Sequence, residues 1–242
     1  MRCPSCHDPG TLACAGCKNV SYCSLVCQQS DWQFHRHLCK HFQSSQERPS
    51  PKMRRVIFFP AHTGAKPEFR WLNVHTMLMD KGDGSTYQTP DVQSLLGDGS
   101  PQTIRFDENL ILGAKLNLGI NVCFDDNFLD SYSSANTAIL TATNRKAGHE
   151  WRGPVVAYCG KRVDPGDFSK IEDMDMASVT DVAAFLIDYY NKTMVHKLRK
   201  GPKVPGVKAF CFGEPSKERA KAVLVPRMHP VFEVGEVSAI SK

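Results

Sequence analysis

Three observations predict a chain in two parts, a small metal-stabilised finger followed by an α+β body. Seven cysteines and one histidine stand at metal-ligand spacing within residues 3–39. A polar, proline-containing stretch follows, and beyond it apolar runs of strand length alternate with turn signals until one late helical stripe. The expected organisation is a finger over residues 1–42, a linker over 43–53, an α+β body over 54–235 and a short tail over 236–242.

The ligand run reads Cys3-x2-Cys6-x7-Cys14-x2-Cys17-x5-Cys23-x3-Cys27-x7-His35-x3-Cys39. Eight soft or borderline ligands make two tetrahedral sets of four, which is what two structural Zn²⁺ ions require. The i,i+4 spacing of Cys23 with Cys27, and of His35 with Cys39, predicts that each pair shares a helical face and one metal. A disulfide framework suits a secreted chain, whereas Met1-Arg2-Cys3 opens directly on a ligand with no apolar leader before it. Iron–sulfur ligation fits a histidine-containing, interdigitated set less well than zinc does. His37 and His41 lie nearby, but a His37–His41 pair leaves Cys39 without a partner. His35 is therefore the expected ligand and the other two are solvated basic residues. Protein fills all eight positions, so neither metal keeps the open position that catalysis needs, and the expected role is structural. A segment this short buries too little apolar surface to fold unaided. Metal then supplies its folding energy, about 10–16 kcal/mol per zinc in small finger peptides.

The filler residues carry a resemblance. Tyr22-Cys23-Ser24-x-x-Cys27-Gln28 followed by Asp31-Trp32-x-x-His35-x-x-x-Cys39 resembles the second half of the MYND-type zinc finger. Spacing alone does not distinguish two consecutive sites from an interleaved pair. The resemblance implies the interleaved cross-brace, with Cys3, Cys6, Cys23 and Cys27 on one zinc and Cys14, Cys17, His35 and Cys39 on the other. It also implies a protein partner with a short proline-rich motif, bound by residues matching Gln28 and Trp32. These two are four apart and share a helical face. Extended proline-containing segments lose little entropy on docking to an aromatic groove. The plainer expectation for Trp32 is packing against the finger's small core.

Nucleic acid is the rival partner for any zinc finger. The formal charges here are few, Arg2, Lys18, Arg36 and Lys40 against Asp8 and Asp31, and the spacing is not that of a C₂H₂ finger. A net charge of +5 over 242 residues is modest and forms no basic stripe in the finger. No apolar run of about 18 residues is present to suggest a transmembrane helix. With no leader and with thiolates reduced for zinc, the expected compartment is cytoplasmic or nuclear.

Residues 43–52 are polar, contain two prolines and lack periodicity, so they read as a linker. Strands are expected at 56–59, 69–79, 103–106, 115–124, 155–158, 207–212 and 222–225, with glycine-rich turns at 81–85 and 97–101. A short helix is expected at 136–143. A longer one is expected at 178–191, where Val179, Val182, Ala183, Leu186, Ile187 and Tyr190 form one stripe, with Asp173 and Asp175 at its favourable end. A polar linker between the finger and an apolar body predicts two separately folding parts.

The body carries no recognisable active-site motif. Its Gly-Asp-Gly-Ser segments lack the third glycine of a dinucleotide loop, and there is no Walker lysine, Gly-x-Ser-x-Gly elbow or His-Glu-x-x-His pair. Asp125-Asp126 reads as an exposed turn. Cys123, Cys159 and Cys211 read as buried inert thiols, and His62, His75, His149, His196 and His229 show no ligand spacing. The basic run at 196–203 reads as the cationic end of the long helix, with a nuclear-import or nucleic-acid patch as the sharper alternative. Some MYND proteins are lysine methyltransferases with a SET domain split around the finger. Its motifs are missing here: Gly213-Glu214 is followed by Pro215, Gly235-Glu236 by Val237, and almost nothing precedes Cys3. The segment at 151–156 gives the body a loose similarity to uncharacterised fungal MYND proteins, which brings no activity with it. The expectation is a non-enzymatic adaptor or regulator with two structural zinc ions and no membrane span. The alternatives are a DNA-associated transcriptional regulator, or an enzyme whose site in the body has no motif.

Overall fold

The fold was taken from a computed structural model. It describes residues 2–44, 47–79, 82–109, 111–125, 133–163 and 168–189, with two further strands at 206–209 and 223–226. Backbone packing divides the chain into one unit, Met1–Met194, and a second, Val195–Lys242.

The finger begins with two knuckles of the same geometry. The His7 amide donates to the Cys3 carbonyl at 2.8 Å and the Lys18 amide to the Cys14 carbonyl at 3.0 Å. Each donor stands just after a Cys-x2-Cys pair in the left-handed region, at φ 67° for His7 and 55° for Lys18. A short antiparallel pair follows, β1 (Leu12–Ala13) with β2 (Ser21–Tyr22). Helix α1 (Leu25–His35) starts at Ser24, whose hydroxyl accepts from the Cys27 amide at 3.2 Å. Helix α2 (Cys39–Ser44) opens on a ligand. His35 and Cys39, expected on one helical face, therefore straddle a break. A tight turn, with the Leu38 amide on the His35 carbonyl at 3.1 Å, separates the two helices.

The body comprises β3 (Met53–Phe59), β4 (Glu68–Leu78), β5 (Thr86–Pro90), α3 (Gln93–Leu96), β6 (Pro101–Asn109), β7 (Ala114–Asp125), α4 (Thr137–Ala142), β8 (Val155–Arg162), β9 (Phe168–Glu172) and α5 (Met176–Asp188). Its strands form one antiparallel sheet in the order β3-β4-β5-β9-β8-β7-β6. An additional pairing of Ile57 with Ala157 and Phe59 with Val155 joins β3 to β8, so the sheet closes on itself with β7 and β6 as an extension. The first half of β8 lies between β3 and β7, and its second half exchanges β3 for β9.

That closure explains the unbroken apolar runs. Val56, Phe58, Val156 and Tyr158 point to one side, into a core with Leu72, Phe168 and Ile171. Ile57, Phe59, Val155 and Ala157 point to the other, against α4, α5 and the finger. Strands buried on both faces lose the polar alternation of a half-exposed sheet. Cys123 and Cys159 are buried as expected, and burial pushes both thiols up and away from reactive thiolate. Asp125 is not in an exposed turn. It is buried at the end of β7, where its Oδ1 accepts from the Ser100 amide at 3.1 Å, and a Cβ at Gly99 would collide with its carboxylate.

Helix α5 begins at Met176 with Asp175 as its cap, and Asp175 and Ser178 close a reciprocal capping box. The helix lies where the late apolar stripe placed it. Asp173, expected to serve the same helix end, instead pairs with Arg48 at 2.6 Å and accepts from the Arg55 amide at 3.0 Å.

The finger docks against this body. Val20, Tyr22, Leu38 and Phe42 of the finger share one continuous core with Ile57, Phe69, Val179 and Val182. Phe42 meets the edge of Phe69 at 5.3 Å, and the buried Arg55 guanidinium lies 4.3 Å over the Phe42 ring. Asn19 Oδ1 accepts from the Met176 amide at 2.9 Å, satisfying an otherwise orphaned donor at the start of α5. The polar stretch after residue 42 thus joins two parts that touch, and the separate folding expected from its composition is not what the packing supports.

In the second unit, β10 (Gly206–Ala209) pairs antiparallel with β11 (Val223–Pro226), at the two late strands the sequence predicts. The basic run at 196–203, Cys211, His196, His229, the Gly213 and Gly235 segments and the tail at 236–242 lie outside the described residues.

A heavily constrained polar residue of the body is Asn136, the cap of α4. Its Nδ2 donates to the Phe59 and Gly153 carbonyls at 2.9 and 2.8 Å, and its Oδ1 accepts from the Ile139 amide at 2.9 Å. Asn136→Asp keeps the acceptor and loses both donations in a buried site. We expect it to destabilise the protein by about 2–4 kcal/mol in denaturant titration; a loss below about 0.5 kcal/mol would show that water replaces these bonds.

Candidate metal centre

The structure brings the eight predicted ligands into two sets. Cys3, Cys6, Cys23 and Cys27 converge in one, and Cys14, Cys17, His35 and Cys39 in the other, with the ligand atoms of each set within 4.8 Å of one another. The knuckle at Cys3–Cys6 thus meets the start of α1, while the knuckle at Cys14–Cys17 crosses to the junction of α1 and α2. This is the interleaved cross-brace; consecutive sites do not form.

Distances test the fit to zinc. A tetrahedral ion with Zn–S bonds near 2.3 Å spaces its ligand sulfurs about 3.8 Å apart. In the first set Cys6 and Cys23 are 3.4 Å apart, Cys23 and Cys27 3.4 Å, and Cys27 and Cys6 3.8 Å. In the second, Cys14 Sγ lies 3.3 Å from His35 Nε2 and 3.9 Å from Cys39 Sγ, and Cys17 Sγ lies 3.6 Å from the same nitrogen. These are the edges of tetrahedra. Gly16 completes the packing, because a Cβ there would stand 2.7 Å from the Cys39 sulfur.

The two sets differ in surroundings. Every ligand of the second is buried, whereas Cys6 of the first is exposed and Cys23 and Cys27 are half-buried. The second set also has an outer layer that the ligand spacing did not predict. Asp31 and His35, each 1% exposed, face one another a helical turn apart, with Asp31 Oδ2 3.5 Å from His35 Nδ1. The Tyr22 hydroxyl donates to Asp31 Oδ2 at 2.6 Å and lies 3.1 Å from His35 Nδ1. With Nε2 turned to the metal, Nδ1 carries the ring proton and these oxygens hold the imidazole in place. From the far side, the Thr180 hydroxyl of α5 donates to Asp31 Oδ1 at 2.5 Å. The signal in the sequence was there to find: Asp31 stands four residues before a ligand on the same helix.

Burial alone would lower the His35 pKa, but the Asp31 carboxylate and the thiols of Cys17 and Cys39 outweigh it and hold the ring up to about 11. Burial raises the Cys17 thiol, and its contacts with His35 and the Asn19 backbone more than offset this, bringing it down to about 7. Zinc takes thiolates and a neutral imidazole nitrogen as ligands, so metal is held less tightly as pH falls.

Trp32 borders this layer on the exposed side of α1. One face stacks on the His35 ring, with centroids 5.7 Å apart and planes at 27°, yet the residue remains 49% exposed. Gln28, a turn earlier, is half-buried. Leu25 and Val26 on the first turn are 65% and 73% exposed. Trp32 thus packs on a ligand and still presents its outer surface.

Removing the outer layer should act on the second metal alone. Asp31→Ala is expected to weaken one of two zinc ions by about 10- to 100-fold in competition with a chromophoric chelator, leaving the other unchanged. Thr180→Val, which strips Asp31 of its body-side donor, should destabilise the protein by about 1–3 kcal/mol. Wild-type zinc release from Asp31→Ala would show that the carboxylate does not support the site.

Comparison with known proteins places this segment. The MYND finger family matches residues 3–39. Over 40 residues, 16% of this chain and 4% of the relative, the sequence is 50% identical to Tudor domain-containing protein 1 of Oryzias latipes. It is 49% identical over 37 residues to the SET domain and MYND-type zinc finger protein 6 of Schizosaccharomyces pombe, covering 15% of this chain and 8% of that protein. It is 44% identical over 60 residues to ubiquitin carboxyl-terminal hydrolase 19 of Arabidopsis thaliana, covering 24% and 9% respectively. The chain thus spans less than a tenth of the length of these relatives. No solved structure matches it. No helix among the described residues is long and apolar enough to cross a membrane. Residues 3–39 are a MYND finger, a two-zinc protein-interaction module, carried here on an antiparallel β body.

Proposed function

We propose that the protein is an adaptor or regulator whose finger captures a partner through a short proline-rich segment, with Trp32 and Gln28 as the contact residues. The observation that carries this reading is the outer surface of α1. A tryptophan stacked on a buried zinc ligand, and still about half exposed, is an aromatic platform that cannot turn away from solvent. Exposed aromatic surface on a rigid support is the usual anchor of a peptide groove. The bound segment is extended and proline-containing, so it loses little entropy on docking. Both zinc sets are filled by protein ligands and act as scaffold. The body from residue 54 onward holds the finger and supplies a further contact or ligand.

A non-enzymatic role fits this arrangement. The similarity to a SET-domain protein and to a ubiquitin hydrolase runs through the finger, the part that these chains share with a Tudor-domain protein. Thiols poised for zinc suit a reducing compartment, the cytoplasm or the nucleus.

Trp32→Ala tests the reading in the full-length zinc-loaded protein. Capture of proline-rich peptides from an immobilised array should fall at least tenfold, with two zinc ions per chain retained, since Trp32 is not a ligand. A variant that keeps its zinc and binds the same peptides equally well would exclude this face. Trp32→Phe, which keeps an aromatic surface on His35, should retain partial binding.

A further inference from the structure

The exposed surface of α1 is not uniform along its length. Leu25, Gln29, Trp32 and Arg36 recur at three- and four-residue intervals and form one stripe on the outward side of the helix. Its first turn is apolar, with Leu25 and Val26 largely exposed. Its far end is basic. Arg36 caps the helix and is exposed, and Lys40 is exposed on the first turn of α2. The loop between β3 and β4 adds Lys66, also exposed. Just after that loop, the start of β4 is held against α2, where the Phe69 amide donates to His41 Nδ1 at 3.3 Å. Arg36 Nε donates to His37 Nε2 at 3.3 Å, which leaves the charge of the guanidinium in place.

Among the described residues no acidic side chain pairs with these cations. From residue 24 to residue 42 the sole carboxylate is Asp31, which faces inward and is occupied by Tyr22 and Thr180. Glu68 is turned toward Arg70 at 2.8 Å and His41 at 3.9 Å. Arg36, Lys40 and Lys66 form no ion pair among the described residues. The surface around Trp32 is therefore apolar on one side and carries unanswered positive charge on the other.

We infer that the partner segment is bipartite, with apolar and proline residues over Leu25 and Trp32, and acidic residues continuing from them over Arg36, Lys40 and Lys66. The inference rests on the peptide-binding reading above and adds the charge and register of the ligand. Trp32 and Arg36 are about 6 Å apart along the helix axis. An extended proline-type segment advances about 3.1 Å per residue. The first acidic residue thus falls about two positions beyond the one seated on Trp32, and further acidic residues reach the lysines.

Three synthetic peptides test this against the full-length zinc-loaded protein. They share a core of two prolines and two leucines and differ in a flanking trio that is glutamate, glutamine or lysine, each prepared with the trio at either end. Fluorescence anisotropy should show the glutamate peptide binding about 3- to 10-fold tighter than the glutamine peptide in one of the two orientations, and the lysine peptide weakest. The advantage should shrink between 50 and 300 mM salt, as expected at roughly a Debye length of 8–10 Å. It should also disappear in the double variant Arg36→Gln, Lys66→Gln. Failure of every peptide to bind, with no effect of Trp32→Ala, would overturn the peptide reading itself. Trp32-dependent binding that ignores the sign of the flank, or a glutamate advantage that survives the double variant, would overturn the bipartite ligand alone.

Discussion

The Asp31 carboxylate is the point on which the two parts of this molecule meet. It is buried, accepts from Tyr22 on the finger side and from Thr180 on the body side, and faces the ring of a zinc ligand one helical turn away. A buried charge is tolerable only when fully partnered. Here its partners come from three elements, so the surroundings of the zinc set at Cys14, Cys17, His35 and Cys39 include a residue of α5. The same constraint runs in reverse. Helix α5 donates its first amide to Oδ1 of Asn19, two residues beyond a ligand, and packs its apolar stripe against the finger core.

This coupling gives the exposed surface of α1 its character. The helix is pinned by Cys27 near its start and His35 at its end, on different metals, and its inward side is filled by Asp31. The outward stripe has little freedom left to lose. A platform fixed in this way spends less of its binding free energy on ordering itself, which suits capture of a short segment with few anchors. Trp32 stacks on the imidazole beneath it, so the display surface rests directly on a zinc ligand. The first zinc set is more open, with Cys6 at the surface.

The sequence made the metal chemistry legible because coordination demands particular residue types at particular spacings, and all eight ligands were found. The cross-brace was not in the spacing; it came with the resemblance, and the geometry bears it out. The long strands and α5 were legible as apolar runs and a 3–4 period. The strands β5 and β9 were not. Thr86–Pro90 is short, largely polar and ends on a proline, and Phe168–Glu172 carries only two buried side chains. Closure of the sheet through β3 and β8 was invisible as well, because it depends on pairing residues a hundred positions apart. The polar stretch after residue 42 misled for a related reason: composition marks a solvent-exposed connection and says nothing of whether the parts it connects touch. Asp31 sat in plain view at i−4 from His35, and its role needed Thr180, 149 residues away, to become apparent.

Hydrogen exchange on the full-length protein, before and after removal of zinc by a strong chelator, tests this coupling most directly. If the finger and body share one cooperative core, amides of α5 and of β3 and β4 should lose protection along with those of α1 when the metal is removed. Full retention of protection in α5, β3 and β4 while α1 and the knuckles exchange freely would contradict it, and would return the finger to the status of an independent module.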